Sequence, residues 1–202
     1  FIIRSFENAS VWQILLLRSL FFLIALIIFL ILTYKKNFFA IIKKSGLPAV
    51  LGGFVMSLSF VAFVVAMNNT SVANVVFIIS TQTMFLAIFG YFYLKEKISL
   101  FTFISIFLAI AGIILMVGDS FSSGTFFGNL IALIIPINFS IFVMIVRKNK
   151  NLDMVPAILY SGLFSLMYGA FLSESFVFNK HDIYMGFLLG VPQLAFGFIL
   201  IT

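Results

Sequence analysis

Leu20-Phe21-Phe22-Leu23-Ile24-Ala25-Leu26-Ile27-Ile28 is apolar at every one of its nine positions. A strand in a membrane β-barrel alternates lipid-facing and lumen-facing residues, and a surface helix of a water-soluble domain carries a polar face. A stretch with neither pattern reads as a helix surrounded by lipid or by other apolar helices. Followed outward, the run extends from about residue 11 to 33. At 1.5 Å per residue that covers a hydrocarbon core about 30 Å thick. Six further runs have similar length: about 46 to 67, 71 to 93, 98 to 118, 125 to 146, 154 to 174 and 183 to 202. Residues 1 to 6 read as the stub of one more.

The composition of the 202 residues agrees with lipid as the solvent: 63% are hydrophobic, 18% aromatic and only 9% charged. Such a chain cannot cover a water-exposed surface, which excludes an ordinary soluble protein. The net charge of +6 would suit a nucleic-acid binder if it were clustered on one surface, but the charges lie in short gaps between apolar runs. Zero cysteines exclude disulfides and thiolate metal sites, and a single histidine leaves little scope for imidazole chemistry. No metal and no cofactor is expected. Phe1-Ile2-Ile3-Arg4 lacks the features of a signal peptide, and residues 197–202 stop inside an apolar run. Both ends therefore read as cuts within a longer chain.

The gaps alternate in charge. The first, third and fifth carry Lys35, Lys36, Lys43 and Lys44 (+4), Lys95, Glu96 and Lys97 (+1), and Arg147, Lys148, Lys150 and Asp153 (+2). The intervening gaps, taken with Arg4, Glu7 and Glu174, come to −2, and Arg18 within a span supplies the remaining positive charge. The positive-inside rule then places the Lys-rich loops in the cytoplasm. A bacterial cytoplasmic membrane is the expected location.

Gly53-Phe54 followed by Ala62-Phe63 recurs as Gly186-Phe187 followed by Ala195-Phe196, a constant offset of 133 residues. The offset pairs helices of opposite direction, as inverted repeats do. Pro136, followed by Asn138, and Pro192, followed by Gln193, each remove a backbone hydrogen bond inside a span. Packing can absorb such a kink; alternatively the freed carbonyl and the neighbouring amide line a cavity. Pro156 lies in the first turn of its helix, where its missing N–H is harmless.

Arg18 stands about seven residues into its span, where a charged side chain costs roughly 2.5–3.5 kcal/mol on insertion scales. It either snorkels or packs between helices, or it faces a cavity and attracts an anionic group. Ser80-Thr81-Gln82-Thr83 puts four polar residues in the middle of the fourth helix, where lipid offers no partner. Gln82 is the preferred substrate contact among them, with interhelical bonding as its alternative. Tyr160 and Tyr168 share a face of the seventh helix and suit either packing or stacking on an organic solute. Trp12 and Tyr34 fall where amphipathic rings prefer the interface. Asn74, Ser57, Ser59 and Ser105 read as packing residues.

The segment from Ala66-Met67-Asn68-Asn69-Thr70-Ser71 through Leu94-Lys95-Glu96-Lys97-Ile98-Ser99 to Ala111-Gly112 resembles the signature half-repeat of the EamA domain of the drug/metabolite transporter superfamily. Leu17-Arg18-Ser19-Leu20 resembles the family's second-helix arginine. Gly128-Asn129-Leu130 with Arg147-Lys148 resembles the start and end of its sixth helix. The resemblance implies an all-α, polytopic membrane protein of ten helices in two inverted five-helix repeats, truncated here at both ends. Residues 1–118 would be the first repeat, lacking most of its first helix, and residues 119–202 the second, lacking its last two. Both termini of the complete fold would lie in the cytoplasm. Glu96 matches the family's glutamate, and its place at a helix C-terminus calls for pairing with Lys95, Lys97 or another loop. Thr83 stands where the family has proline, so the fourth helix is expected to be straighter. Trp12-Gln13 and Gly190-x-x-Gln193-Leu194 also resemble the branch that contains S-adenosylmethionine carriers.

The leading reading is a secondary transporter working by alternating access, with Arg18, Gln82, Asn138, Tyr160 and Gln193 as substrate-binding residues. Its partners would be a small organic solute (an amino acid, a nucleoside-like metabolite or S-adenosylmethionine) and membrane lipid, without nucleic acid, and it would be compatible with a homodimer. A structural or assembly membrane protein is the alternative. A membrane enzyme fits less well, since it calls for clustered catalytic groups near one interface. No nucleotide-binding Gly-x-x-x-x-Gly-Lys-Ser/Thr loop occurs in the sequence. Transport would then draw on a gradient or on exchange.

Overall fold

The computed structural model describes residues 2–199, apart from the side chains of 117, 119–123 and 199. The described residues form helices and turns without a strand. A 3-10 turn, Ile2–Arg4, precedes α1 (Val11–Tyr34) and α2 (Phe38–Asn69). The fourth run is divided into α3 (Val72–Ser80) and α4 (Gln82–Leu94), followed by α5 (Leu100–Ser123), α6 (Phe126–Lys148) and α7 (Val155–Leu172). The last run holds α8 (Lys180–Leu188), a π-helical segment (Leu189–Ala195) and α9 (Phe196–Ile199). Residues 200–202, the end of the last expected span, lie outside the described residues.

Among the described residues, Val11–Asn69, Val72–Leu94, Phe126–Lys148 and Val155–Leu172 are long and apolar enough to cross a membrane. The first, at 59 residues, is long enough for two crossings, and its backbone leaves the helical conformation at Gly46 (φ 58, ψ −157), which divides α2. Only glycine adopts that conformation without strain. The chain is thus a multi-pass helical membrane protein.

The chain forms two compact units, Phe1–Ser57 with Asn149–Thr202, and Leu58–Lys148. In the first, α1 is the central helix. Leu15, Phe22, Leu26 and Leu30 recur at helical spacing and are buried, while Ile24, Ile28, Ile31 and Leu32 on its other side are exposed. An apolar exposed side fits lipid and would be a liability in water. Because lipid tails are as apolar as leucine, close packing and not water exclusion must hold these helices together. Glycines allow it. A Cβ on Gly162 would lie 2.8 Å from Leu23, and one on Gly169 would lie 2.8 Å from the Leu16 backbone, so α7 runs antiparallel against α1. Gly53 brings α2 onto α7 at Ala157, Tyr160 and Ser161, whereas Gly186 brings α8 onto Leu17.

In the second unit α6 packs on α3 and α4, and α5 is the most exposed helix, with Phe101, Phe103, Phe107 and Leu115 on its surface. The expectation of a straighter fourth helix does not hold. The helix breaks at Thr81 (φ −77, ψ 0), whose N–H is shared between the Ile78 and Ile79 carbonyls and whose hydroxyl also donates to Ile78, at 2.6 Å. A threonine hydroxyl that bonds back into the preceding turn competes with the backbone ladder and bends the helix. Proline was not needed for the break.

Candidate functional site

Polar groups in apolar helices need partners, because lipid offers none. In the first unit Arg18 is buried, 3% exposed, on the side of α1 that meets the π-helical segment. The approach is tight: a Cβ on Gly190 would lie 2.6 Å from the Arg18 carbonyl oxygen and 2.9 Å from the Phe22 nitrogen. Gln193, three residues further along the segment, is exposed, and Tyr160 is half-buried with its Cβ against Gly53. Gln13, by contrast, has a structural role. Its side chain accepts from the Ser10 N–H at 2.8 Å, closing a capping box at the start of α1, and donates to the Ser175 carbonyl at 2.9 Å.

Asp182 stands in the gap just before the last apolar run, where it adds one negative charge to the loops. It is 1% exposed and sits in the first turn of α8, where Asn179 caps the helix by accepting the Asp182 N–H at 2.6 Å. The Asp182 carboxylate accepts the N–H groups of Glu7 at 3.0 Å and Asn8 at 3.3 Å, while His181 Nε2–H donates to the Ser5 carbonyl at 2.9 Å. A side chain some 175 residues away thus ties down the segment before α1. Asp182→Ala should cost about 3 kcal/mol, since hydrogen bonds to a charged group contribute roughly 1.5–3 kcal/mol. Hydrogen exchange of the detergent-solubilised protein checks it: peptides covering residues 5–10 should exchange faster. Unchanged protection there would remove the tie from the account.

In the second unit, Thr70 donates to Asn129 Oδ1 at 2.6 Å, and Asn74 Nδ2 donates to the same oxygen at 3.2 Å and to Thr70 at 3.1 Å. This buried cluster joins the end of α2 and the start of α3 to α6, and Gly128 lets α6 touch the Asn69 backbone. Asn74 is therefore a packing residue, as expected. Asn138, two residues after Pro136 in α6, has its Nδ2 buried with no hydrogen-bond partner among the described residues. Gln82 is half-buried in the first turn after the Thr81 break. A cleft of about 640 Å³ opens beside that break, lined by Ser80, Thr81 and Thr83 and, from α5, Thr102 and Ser105. Gln82 does not line it. Glu96 finds its partner on α6: Arg147 Nη1 donates to both carboxylate oxygens, at 2.9 and 3.2 Å. Lys95, in the left-handed conformation (φ 55), turns the chain so that Glu96 folds back over Gly90.

The five residues expected to bind substrate thus divide between the units, with Arg18, Tyr160 and Gln193 in the first and Gln82 and Asn138 in the second. Interrupted, glycine-packed apolar helices with polar side chains deep within them mark a polytopic membrane protein. The model of the EamA-like transporter family matches residues 1–118, more than half of the chain. The protein belongs to that family, whose members are membrane transporters. Comparison with curated proteins and with solved structures gave no match.

Proposed function

We propose that this protein is a secondary transporter that moves a small organic metabolite across a bacterial cytoplasmic membrane by alternating access, with its Lys-rich loops in the cytoplasm. The observation that carries the reading is the pair of helix interruptions inside apolar spans, at Thr81 and at Leu189–Ala195. Secondary transporters build their midplane sites on discontinuous helices, whose freed backbone groups and neighbouring side chains meet the solute. Each interruption has an amide beside or within it, Gln82 at the first and Gln193 at the second. Asn138 adds a buried donor that no described group uses. Arg18 supplies the positive charge for a carboxylate or phosphate, and Tyr160 a ring and a hydroxyl.

The division into repeats at residues 118 and 119 belongs to the same proposal. It is supported by the two glycines 133 residues apart: Gly53 seats the third span on the seventh, as Gly186 seats the eighth on the second. Those are the contacts that an inverted repeat would exchange.

A chain with no cysteine allows a direct test. Gln82→Cys, Asn138→Cys and Gln193→Cys, each alone, should react with a membrane-impermeant maleimide at rates that change when amino acids, nucleosides or S-adenosylmethionine are added. Accessibility from the two sides should shift in opposite directions. Labelling that ignores every solute, at all three positions in folded protein, would remove these residues from the site.

A further inference from the structure

We propose that residues 35–45 form an interfacial elbow that binds the anionic phospholipid headgroups of the leaflet on the Lys-rich side. The proposal needs only that the spans lie in lipid, and it holds whatever the protein carries. Sequence alone presents this stretch as a charged gap. The structure makes it helical: a 3-10 turn over Lys35–Asn37 runs into the first part of α2, residues 38–45. A positive-φ residue stands at each end, Lys35 (φ 47) and Gly46 (φ 58), setting this short helix off from the spans on either side.

Its place relative to the bilayer follows from length. The 24 residues of α1 extend about 36 Å, enough to use up a hydrocarbon core of about 30 Å, and residues 47–69 do the same on the return. The elbow therefore lies at the boundary. Its two faces differ. Phe38, Ile41, Ile42 and Ser45 fall on one side of the helix and are half-buried or buried. Phe39, Ala40, Lys43 and Lys44 fall on the other, and all four are exposed. Phe39 is 80% exposed, and the Phe38 ring meets it edge-on at 5.1 Å.

An aromatic ring held outward between lysines is costly in water and suited to the headgroup boundary, where the ring enters the acyl region and the ammonium groups meet phosphate. Lys35, Lys36, Lys43 and Lys44 stand within ten residues that contain no acid. None of the four forms an ion pair among the described residues. Asp153 approaches this end of α1, but its carboxylate accepts the Tyr34 hydroxyl at 2.6 Å and the Val155 N–H at 3.0 Å. The lysines therefore keep their charge for lipid.

The test uses the intact protein in nanodiscs of phosphatidylcholine alone and of phosphatidylcholine with about 30% phosphatidylglycerol. A nitroxide on Phe39→Cys should be accessible to oxygen and shielded from a water-soluble nickel complex. Native mass spectrometry should show phosphatidylglycerol retained in preference to phosphatidylcholine. Changing the four lysines to glutamine should weaken that preference by about fivefold for each charge removed, whereas Lys95→Gln with Lys97→Gln and Lys148→Gln should leave most of it. All seven lysines are exposed or half-buried at the ends of spans, so both variants should fold. A nitroxide in water in both compositions, or an equal loss of preference in the two variants, would overturn the proposal.

Discussion

Replacing Gly190 by valine should destabilise the intact protein by about 3 kcal/mol, the upper end of the usual cost of overpacking. The atoms that a Cβ would meet explain the size. The Arg18 carbonyl oxygen lies at 2.6 Å, the Phe21 Cβ at 2.8 Å and the Phe22 nitrogen at 2.9 Å, so the obstruction is α1 itself and not a mobile side-chain tip. Relief would require the π-helical segment to move away from α1, breaking the packing that buries Phe22 and Leu189. Thermal unfolding in detergent, followed by far-ultraviolet circular dichroism, measures the effect. Gly118→Ala is the matched control, because no atom of the described residues lies within 4 Å of a Cβ there. It should be neutral or slightly stabilising, as alanine is the better helix former. Equal stability of Gly190→Val and wild type would mean that the π-helical segment is not clamped against α1.

The second large effect concerns transport and not stability. Arg18→Gln should reduce the initial rate of solute uptake about 10- to 100-fold, the range expected when a charge-assisted contact to an anionic group is lost. The fold should persist, because glutamine keeps a hydrogen-bonding side chain at this depth while the charge, which costs about 2.5–3.5 kcal/mol on insertion scales, is removed. Arg18→Lys should recover only part of the rate, since an ammonium keeps the charge without the planar fork of donors. Uptake in proteoliposomes, compared with folded fraction across the three proteins, separates the roles. Loss of folded protein together with uptake would make Arg18 a packing residue, and wild-type rates in Arg18→Gln would remove it from the site.

The two effects meet at one joint, because the backbone that Gly190 approaches is that of Arg18. The spans were legible because apolar runs need no tertiary information: α1, α6 and α7 fall within two residues of the expected limits. Features that depend on distant or very local geometry were not. Asp182 looked like a loop acid because the amides it holds are some 175 residues away. The break in the fourth helix has no proline to mark it: Thr81 stands there, its hydroxyl bonded back to the Ile78 carbonyl. The elbow was hidden by its brevity, for eight residues with two lysines carry too little periodicity to separate a helix from a loop. Glu96 clearly needed a cation, but several were available, and only the folded chain selects Arg147. Gln13 is the opposite case. It looked like a branch marker, yet capping α1 and holding Ser175 account for its side chain.

The candidate site was legible in part for the same reason. Polar residues are conspicuous in apolar spans, so Arg18, Gln82, Asn138, Tyr160 and Gln193 could be picked out, but sequence does not report which way each side chain is turned. The structure separates buried Arg18 from exposed Gln193 and gives Asn138 an unused donor. It also brings out a largely apolar cleft beside Thr81 with five hydroxyl side chains on its wall, built from α3, α4 and α5, which no single run of sequence displays.

Counterflow separates a carrier from an inert or channel-like membrane protein. The intact protein is reconstituted in liposomes, loaded with one member of a panel of amino acids, nucleosides and S-adenosylmethionine, and given the same labelled solute outside. A secondary transporter working by alternating access should accumulate label transiently, in a saturable manner, for at least one solute class, and no ATP should be needed. Folded protein that exchanges no member of the panel, or that passes solutes without saturation, would contradict the account.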